Sequence, residues 1–151
     1  NYLFAISLPP TDPLVRQNLG TLMKSRGWVD EAISEFRRVV ASGRYTVPAQ
    51  IQIAELLLQS ERWDDALEVY LELLAQDSSH PDIHNQIGLC ERHKGRIAEA
   101  ETSYRRALSL SPGHPIAMQN LLVLWTETGT GSAEEFMGFA SDLSARHIWV
   151  P

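Results

Sequence analysis

A single cysteine, Cys90, rules out an internal disulfide and leaves the fold to be held by packing alone. Such a chain fits a reducing, cytoplasmic setting, and a disulfide-free periplasmic one as well. Cations are also scarce: 13 Lys and Arg against 19 Asp and Glu give a formal charge of -6. That is the wrong sign for sequence-independent attraction to phosphate backbones or anionic lipid, so no nucleic acid and no membrane contact are expected. No uninterrupted apolar stretch approaches the roughly 20 residues of a spanning helix, and no charged-then-apolar leader opens the chain. The missing leader carries little weight, because the first residue is Asn1 and not a methionine. What is present is 151 residues, 44% of them hydrophobic, enough for one domain with a continuous core.

The apolar residues are organised by a repeat. Three segments align on an alanine followed by an aromatic four places later: Ala32 with Phe36, Ala66 with Tyr70, and Ala100 with Tyr104. The alanines are 34 residues apart each time. Val29, Ala32, Phe36 and Val39 share one helical face, as do Trp63, Ala66, Tyr70, Leu73 and Ile97, Ala100, Tyr104, Ala107. Upstream of each, a first helix places a small residue on its core face: Gly20 beside Leu19, Ala54 beside Ile53, Gly88 beside Ile87. Gly27 and Gly95 occupy equivalent turns suited to a left-handed terminus, with Glu61 departing from the pattern between them. Pro13, Pro48, Pro81 and Pro115 mark the entries of the first helices, where a missing N–H costs nothing.

Leu19-Gly20, Ala32-Phe36, Ala66-Tyr70, Gly88, Ala100-Tyr104 and Pro112 together resemble the tetratricopeptide repeat. Its usual opening tryptophan is replaced by Arg16, Gln50 and His84. The resemblance implies an all-α fold, a right-handed superhelical stack of antiparallel helix pairs. On this reading residues 1–12 are the end of a truncated preceding repeat, 13–46, 47–80 and 81–114 are full repeats, and 115–151 is a degenerate or capping one, all within one domain.

Both ends inform that division. Tyr2, Ala5, Leu8 and Pro10 match Tyr104, Ala107, Leu110 and Pro112 three periods on, so Tyr2–Pro10 reads as the tail of a second helix and implies a parent with a further repeat upstream. In the last repeat the expected alanine is Glu134, and a second helix is expected instead from the capping box at Ser132–Glu135, with Phe136, Phe139, Ala140 and Leu143 as its core face. The apolar His147-Ile148-Trp149-Val150-Pro151 is expected to pack on that cap or on something beyond it.

Reactive chemistry finds little support. His80 and His84 are four apart but lack a cysteine or carboxylate to complete a ligand set, so no metal and no cofactor are expected. His80-Pro81 and His114-Pro115 fall in equivalent inter-repeat turns, where turn chemistry accounts for them. Cys90 sits where small residues pack between helices, with no base beside it, and reads as a structural thiol. Gly129–Ser132 lacks the spacing and lysine of a nucleotide loop. Trp28, at a turn, is either a covering side chain or an exposed anchor for a partner.

The chain is therefore read as non-enzymatic, a scaffold holding a protein or extended peptide, with self-association a further possibility. An alternative is the accessory arm of a larger enzyme such as an O-linked glycosyltransferase. The candidate site is a row of carboxamides one period apart, Asn18, Gln52, Gln86 and Asn120, on the first helices. A carboxamide both donates and accepts, so such a row can pair with a peptide backbone whatever its side chains. The row resembles the asparagine ladder of the O-linked N-acetylglucosamine transferase array, with Gln at two of four rungs. Around it Leu14, Gln17, Thr21, Glu55, Asn85, Leu89, His93, Gln119 and Val123 are expected to select the ligand. Repeats of this family that grip the acidic C-terminal tails of heat-shock chaperones use cations on these helices. The matching places here hold Gln17, Thr21, Gln52, Asp82 and Gln86, with Lys24 and Arg92 the nearest cations, so that ligand is not expected.

Overall fold

The computed structural model describes residues 12–146. The residues read as the tail of a preceding repeat, 1–11, and the apolar 147–151 lie outside them. The described residues form eight helices and no strand: α1 Pro13–Ser25, α2 Val29–Ala41, α3 Thr46–Gln59, α4 Trp63–Gln76, α5 Pro81–His93, α6 Ile97–Leu110, α7 Pro115–Thr128 and α8 Ala133–Ala145. Two compact units divide the chain within α4, one up to Val69 and one from Tyr70.

The backbone repeats as the side chains do. Trp28, Arg62 and Arg96 donate their N–H to the carbonyls of Met23, Leu57 and Glu91 at 3.0, 2.9 and 2.9 Å, closing three equivalent turns. Gly27 and Gly95 take φ of 76° there, and Glu61 takes the same left-handed conformation at 57° despite its Cβ. Entries are also fixed locally. Proline opens α1, α5 and α7, and the Asp12 carboxylate caps α1 by accepting from Leu14 N–H at 2.9 Å. His114 caps α7 with its Nδ1, which accepts from Ala117 N–H at 3.1 Å while Nε2 lies 2.8 Å from Asp82.

In the first unit α1 packs on α2 and α2 on α3. The close approach is made at Gly20, where an added Cβ would stand 3.0 Å from the Phe36 ring. Ala32, Phe36, Val39, Ala49, Ala54, Leu56 and Leu57 are buried around it. Glu35 is buried in the same layer, and Arg16 of α1 and Arg38 of α2 hold its two oxygens at 2.8 and 2.7 Å. A buried carboxylate needs such partners, so the arginine at the place of the family's tryptophan has a structural use here.

In the second unit α5 packs on α6, α6 on α7 and α7 on α8. Gly88 faces Tyr104, and Tyr104, Met118, Leu121, Leu122, Leu124, Trp125 and Leu143 form one core. The terminal pair is joined by Trp125 stacked on Phe139, ring centroids 5.9 Å apart. Ser132 caps α8, accepting from Glu135 N–H at 3.2 Å.

Candidate peptide-binding faces

The candidate residues divide between the two units. In the first, α1 and α3 present Gln17 and Thr21 beside Pro48, Ile51 and Gln52, lining a groove of about 440 Å³. Its lining is mostly apolar. A cation bridges the two helices alongside: Lys24 Nζ donates to Gln52 Oε1 at 2.9 Å and to Glu55 Oε2 at 3.2 Å. Gln52 Nε2 donates to the same carboxylate at 3.3 Å. The Gln52 amide is thereby held in one orientation, since a lysine only donates and a carboxylate only accepts. Asn18 and Leu14 are exposed on α1 outside the groove lining.

In the second unit the corresponding helices are α5 and α7, tied by two interactions. Asn120 Nδ2 donates to Asn85 Oδ1 at 2.9 Å. Arg92 grips Glu127 with Nε and a terminal nitrogen, the former at 2.9 Å. That grip holds the Glu127 carboxyl below its ordinary range, chiefly through the hydrogen bond and also through the arginine charge. Gln86, Leu89 and Val123 are half-buried, and His93 and Gln119 are exposed.

Asn85, expected among the residues that select a ligand, is buried. Only 4% of it is exposed, and its Oδ1 accepts from Asn120. The pair it makes is one residue off the 34-residue period, so the repeat gave no signal for it. Pro48 and Ile51 were likewise not anticipated, although both lie within one helical turn of Gln52 and so share its side of α3.

Nucleophile and metal chemistry gain nothing from the geometry. Cys90 is fully buried, and desolvation pushes its thiol up to about 11, away from the reactive thiolate. No group of three or more His, Cys, Asp or Glu is assembled for a metal among the described residues. No described helix is long and apolar enough to cross a membrane. Trp28 is 43% exposed at the start of α2.

The repeat turns, the glycine contacts and the paired helices have a counterpart in known proteins: residues 51–115 match the family model for the tetratricopeptide repeat. Those residues are tetratricopeptide-repeat sequence. Among its relatives, the general transcriptional corepressor ssn6 of Schizosaccharomyces pombe is 30% identical over 79 residues, 52% of this chain and 7% of that protein. The human protein O-mannosyl-transferase TMTC3 is 27% identical over 128 residues, 83% of this chain and 14% of that protein. The chain thus spans only a small part of these relatives. Solved structures of MamA share its fold: one superposes with a TM-score of 0.81 at 16% identity, covering 98% of this chain and 88% of that one. The 41-end form from Desulfovibrio magneticus RS-1 gives 0.74 at 16% identity, covering 92% and 76%. At such identities the likeness concerns the fold alone. Tetratricopeptide arrays are protein-interaction scaffolds and typically non-catalytic.

Proposed function

We propose that the first-helix faces of this chain hold extended protein segments through backbone hydrogen bonds to the carboxamides Asn18, Gln52, Gln86 and Asn120. The observation that carries the reading is the groove of the first unit, lined by Gln17, Thr21 and Gln52 together with Pro48 and Ile51. The apolar part of such a lining takes a side chain while the amides meet the backbone that carries it. Asn120 contributes in the second unit: its Nδ2 is committed to Asn85, which turns Oδ1 toward a peptide N–H. Each rung contributes on the order of 0.5–1.5 kcal/mol, the net worth of a hydrogen bond in water.

The test is a displayed library of random peptides selected on this chain, with the best binders titrated against a variant carrying Asn18→Ala, Gln52→Ala, Gln86→Ala and Asn120→Ala. Binding should weaken by at least about tenfold in the variant, the equivalent of some 1.4 kcal/mol. Equal affinity in a variant of unchanged helicity would leave the carboxamide row as mere family composition.

A second reading has one observation in its favour. The human O-mannosyl-transferase aligns with 83% of this chain, which favours a substrate-recruiting arm of a larger glycosyltransferase. The complete reading frame decides it, since a transferase region beside these repeats is required.

A further inference from the structure

The second unit holds a groove of about 510 Å³ that none of the four carboxamides lines. Leu71 of α4, Ile87 and Glu91 of α5, and Ala98 and Glu99 of α6 are in its lining. Ile87 and Glu91 are buried, whereas Leu71 is 51% exposed and Ala98 and Glu99 are exposed too. The repeat does not ask for the exposed apolar residues. One period before and after Leu71 stand Arg37 and Arg105, and one and two periods before Ala98 stand Asp64 and Asp30. All four of these counterparts are exposed and charged, so the fold is built without apolar side chains at either place. Leu71 and Ala98 thus put apolar surface where the other copies of the repeat put charge, and the two meet in one groove.

The charges of the groove are of one sign. Glu91 and Glu99 line it, and no Lys or Arg does. Arg96 holds Glu91 Oε2 at 3.3 Å from outside the lining. The exposed Glu99, in the first turn of α6, is therefore the carboxylate placed to meet an incoming cation. We propose that this groove docks a segment of a partner protein in which an apolar side chain is flanked by Lys or Arg. The apolar side chain packs against Leu71, Ile87 and Ala98, and the cation pairs with Glu99. An acidic segment would bring like charge to Glu99 and is refused by the same geometry. Because Asn18, Gln52, Gln86 and Asn120 are not in the lining, the site stands apart from the carboxamide faces.

A displayed library of random peptides, selected in parallel on the parent chain and on Leu71→Arg, tests the proposal. That variant installs at an exposed place the residue found one period before and after it, so its helicity should be unchanged. Peptides recovered on the parent and lost on Leu71→Arg should carry Lys or Arg within two residues of an apolar side chain. In titrations they should bind at least about tenfold more weakly to Leu71→Arg and about threefold more weakly to Glu99→Gln, with affinity falling as salt is added. Replacement of the four carboxamides by alanine should leave their affinity unchanged. Recovery of the same peptides on the parent and on Leu71→Arg overturns the proposal. Leu71-dependent peptides that lack a cation, or that bind Glu99→Gln as tightly as the parent, overturn it as well. So does a parent chain that sediments as a dimer which Leu71→Arg dissociates, a result that assigns the groove to a second copy.

Discussion

A Cβ at Gly88 would stand 2.6 Å from the Tyr104 ring and 3.1 Å from the Ala100 carbonyl. The second contact is to backbone and cannot rotate away. Gly20 is the equivalent residue two repeats earlier, and there the intruding contact is with Phe36 alone at 3.0 Å. Alanine in a helix is favoured over glycine by about 1 kcal/mol, so the two substitutions pit the same gain against different clashes. Gly88→Ala should lose about 1–3 kcal/mol net by overpacking, and Gly20→Ala should fall within about 1 kcal/mol of the parent. Urea titrations of both variants check the order, which the contact distances fix.

Glu61 holds φ at 57° where its counterparts Gly27 and Gly95 hold 76°. A side chain in that region costs roughly 1–2 kcal/mol, and glycine removes the penalty while raising the entropy of the unfolded chain by less. Glu61→Gly should therefore stabilise the protein by about 0.5–1 kcal/mol. Its thermal midpoint should rise, and a fall would mean that the Glu61 side chain makes a compensating contact.

The period was legible because the residues that define it are the most deeply packed. Ala32, Ala66 and Ala100 are all 0% exposed, and no larger side chain fits between the helices, so the pattern survives where outward positions drift. The turns, though exposed, were legible through local backbone chemistry, down to the capping box at Ser132. Lateral ties between first helices were not. The Lys24–Gln52–Glu55 cluster and the Asn120–Asn85 pair join residues 28, 31 and 35 positions apart, and long side chains reach across a groove by routes that no fixed spacing announces. The burial of Asn85 was not legible either, because polarity alone suggests exposure, whereas a carboxamide can be buried once another carboxamide pairs with it.

Acid should loosen the terminal pair. The Glu135 carboxyl is lowered from 4.5 to about 2, first by its hydrogen bond to Arg105 and then by Ser132. A carboxyl depressed in the folded state adds stability that is fully present above its unfolded value and disappears as pH falls through the folded one. The loss therefore runs from about pH 4.5 down to about 2. Arg105 also lies 5.2 Å above the Trp125 ring, so near-ultraviolet circular dichroism of the tryptophan reports the event. Arg105→Gln should shift the midpoint of that change upward toward the ordinary carboxyl range, and an unshifted midpoint would detach Glu135 from it.

The faces also predict what this chain refuses. An acidic C-terminal tail of the heat-shock chaperone kind needs cations free to take its terminal carboxylate. Lys24 is already shared between Gln52 and Glu55, and Arg92 is closed in a two-point grip on Glu127. To bind the tail, either cation would have to leave a carboxylate it now neutralises, and that carboxylate would then face the incoming one. Asp82, whose side chain is 85% exposed, adds a further negative charge at a place where such receptors carry a binding group. Exchange of one carboxylate partner for another gains little in water, whereas the stranded Glu55 or Glu127 repels the ligand. Calorimetric titration with a chaperone tail peptide should show no saturable heat at micromolar concentrations. The sharper arm is the variant Glu55→Gln with Glu127→Gln, which frees both cations without changing the shape of either face. Weak binding that appears only in this variant, and weakens with added salt, is the expected result. Saturable micromolar binding by the parent chain would show that the two ion pairs open readily and do not set the ligand's charge.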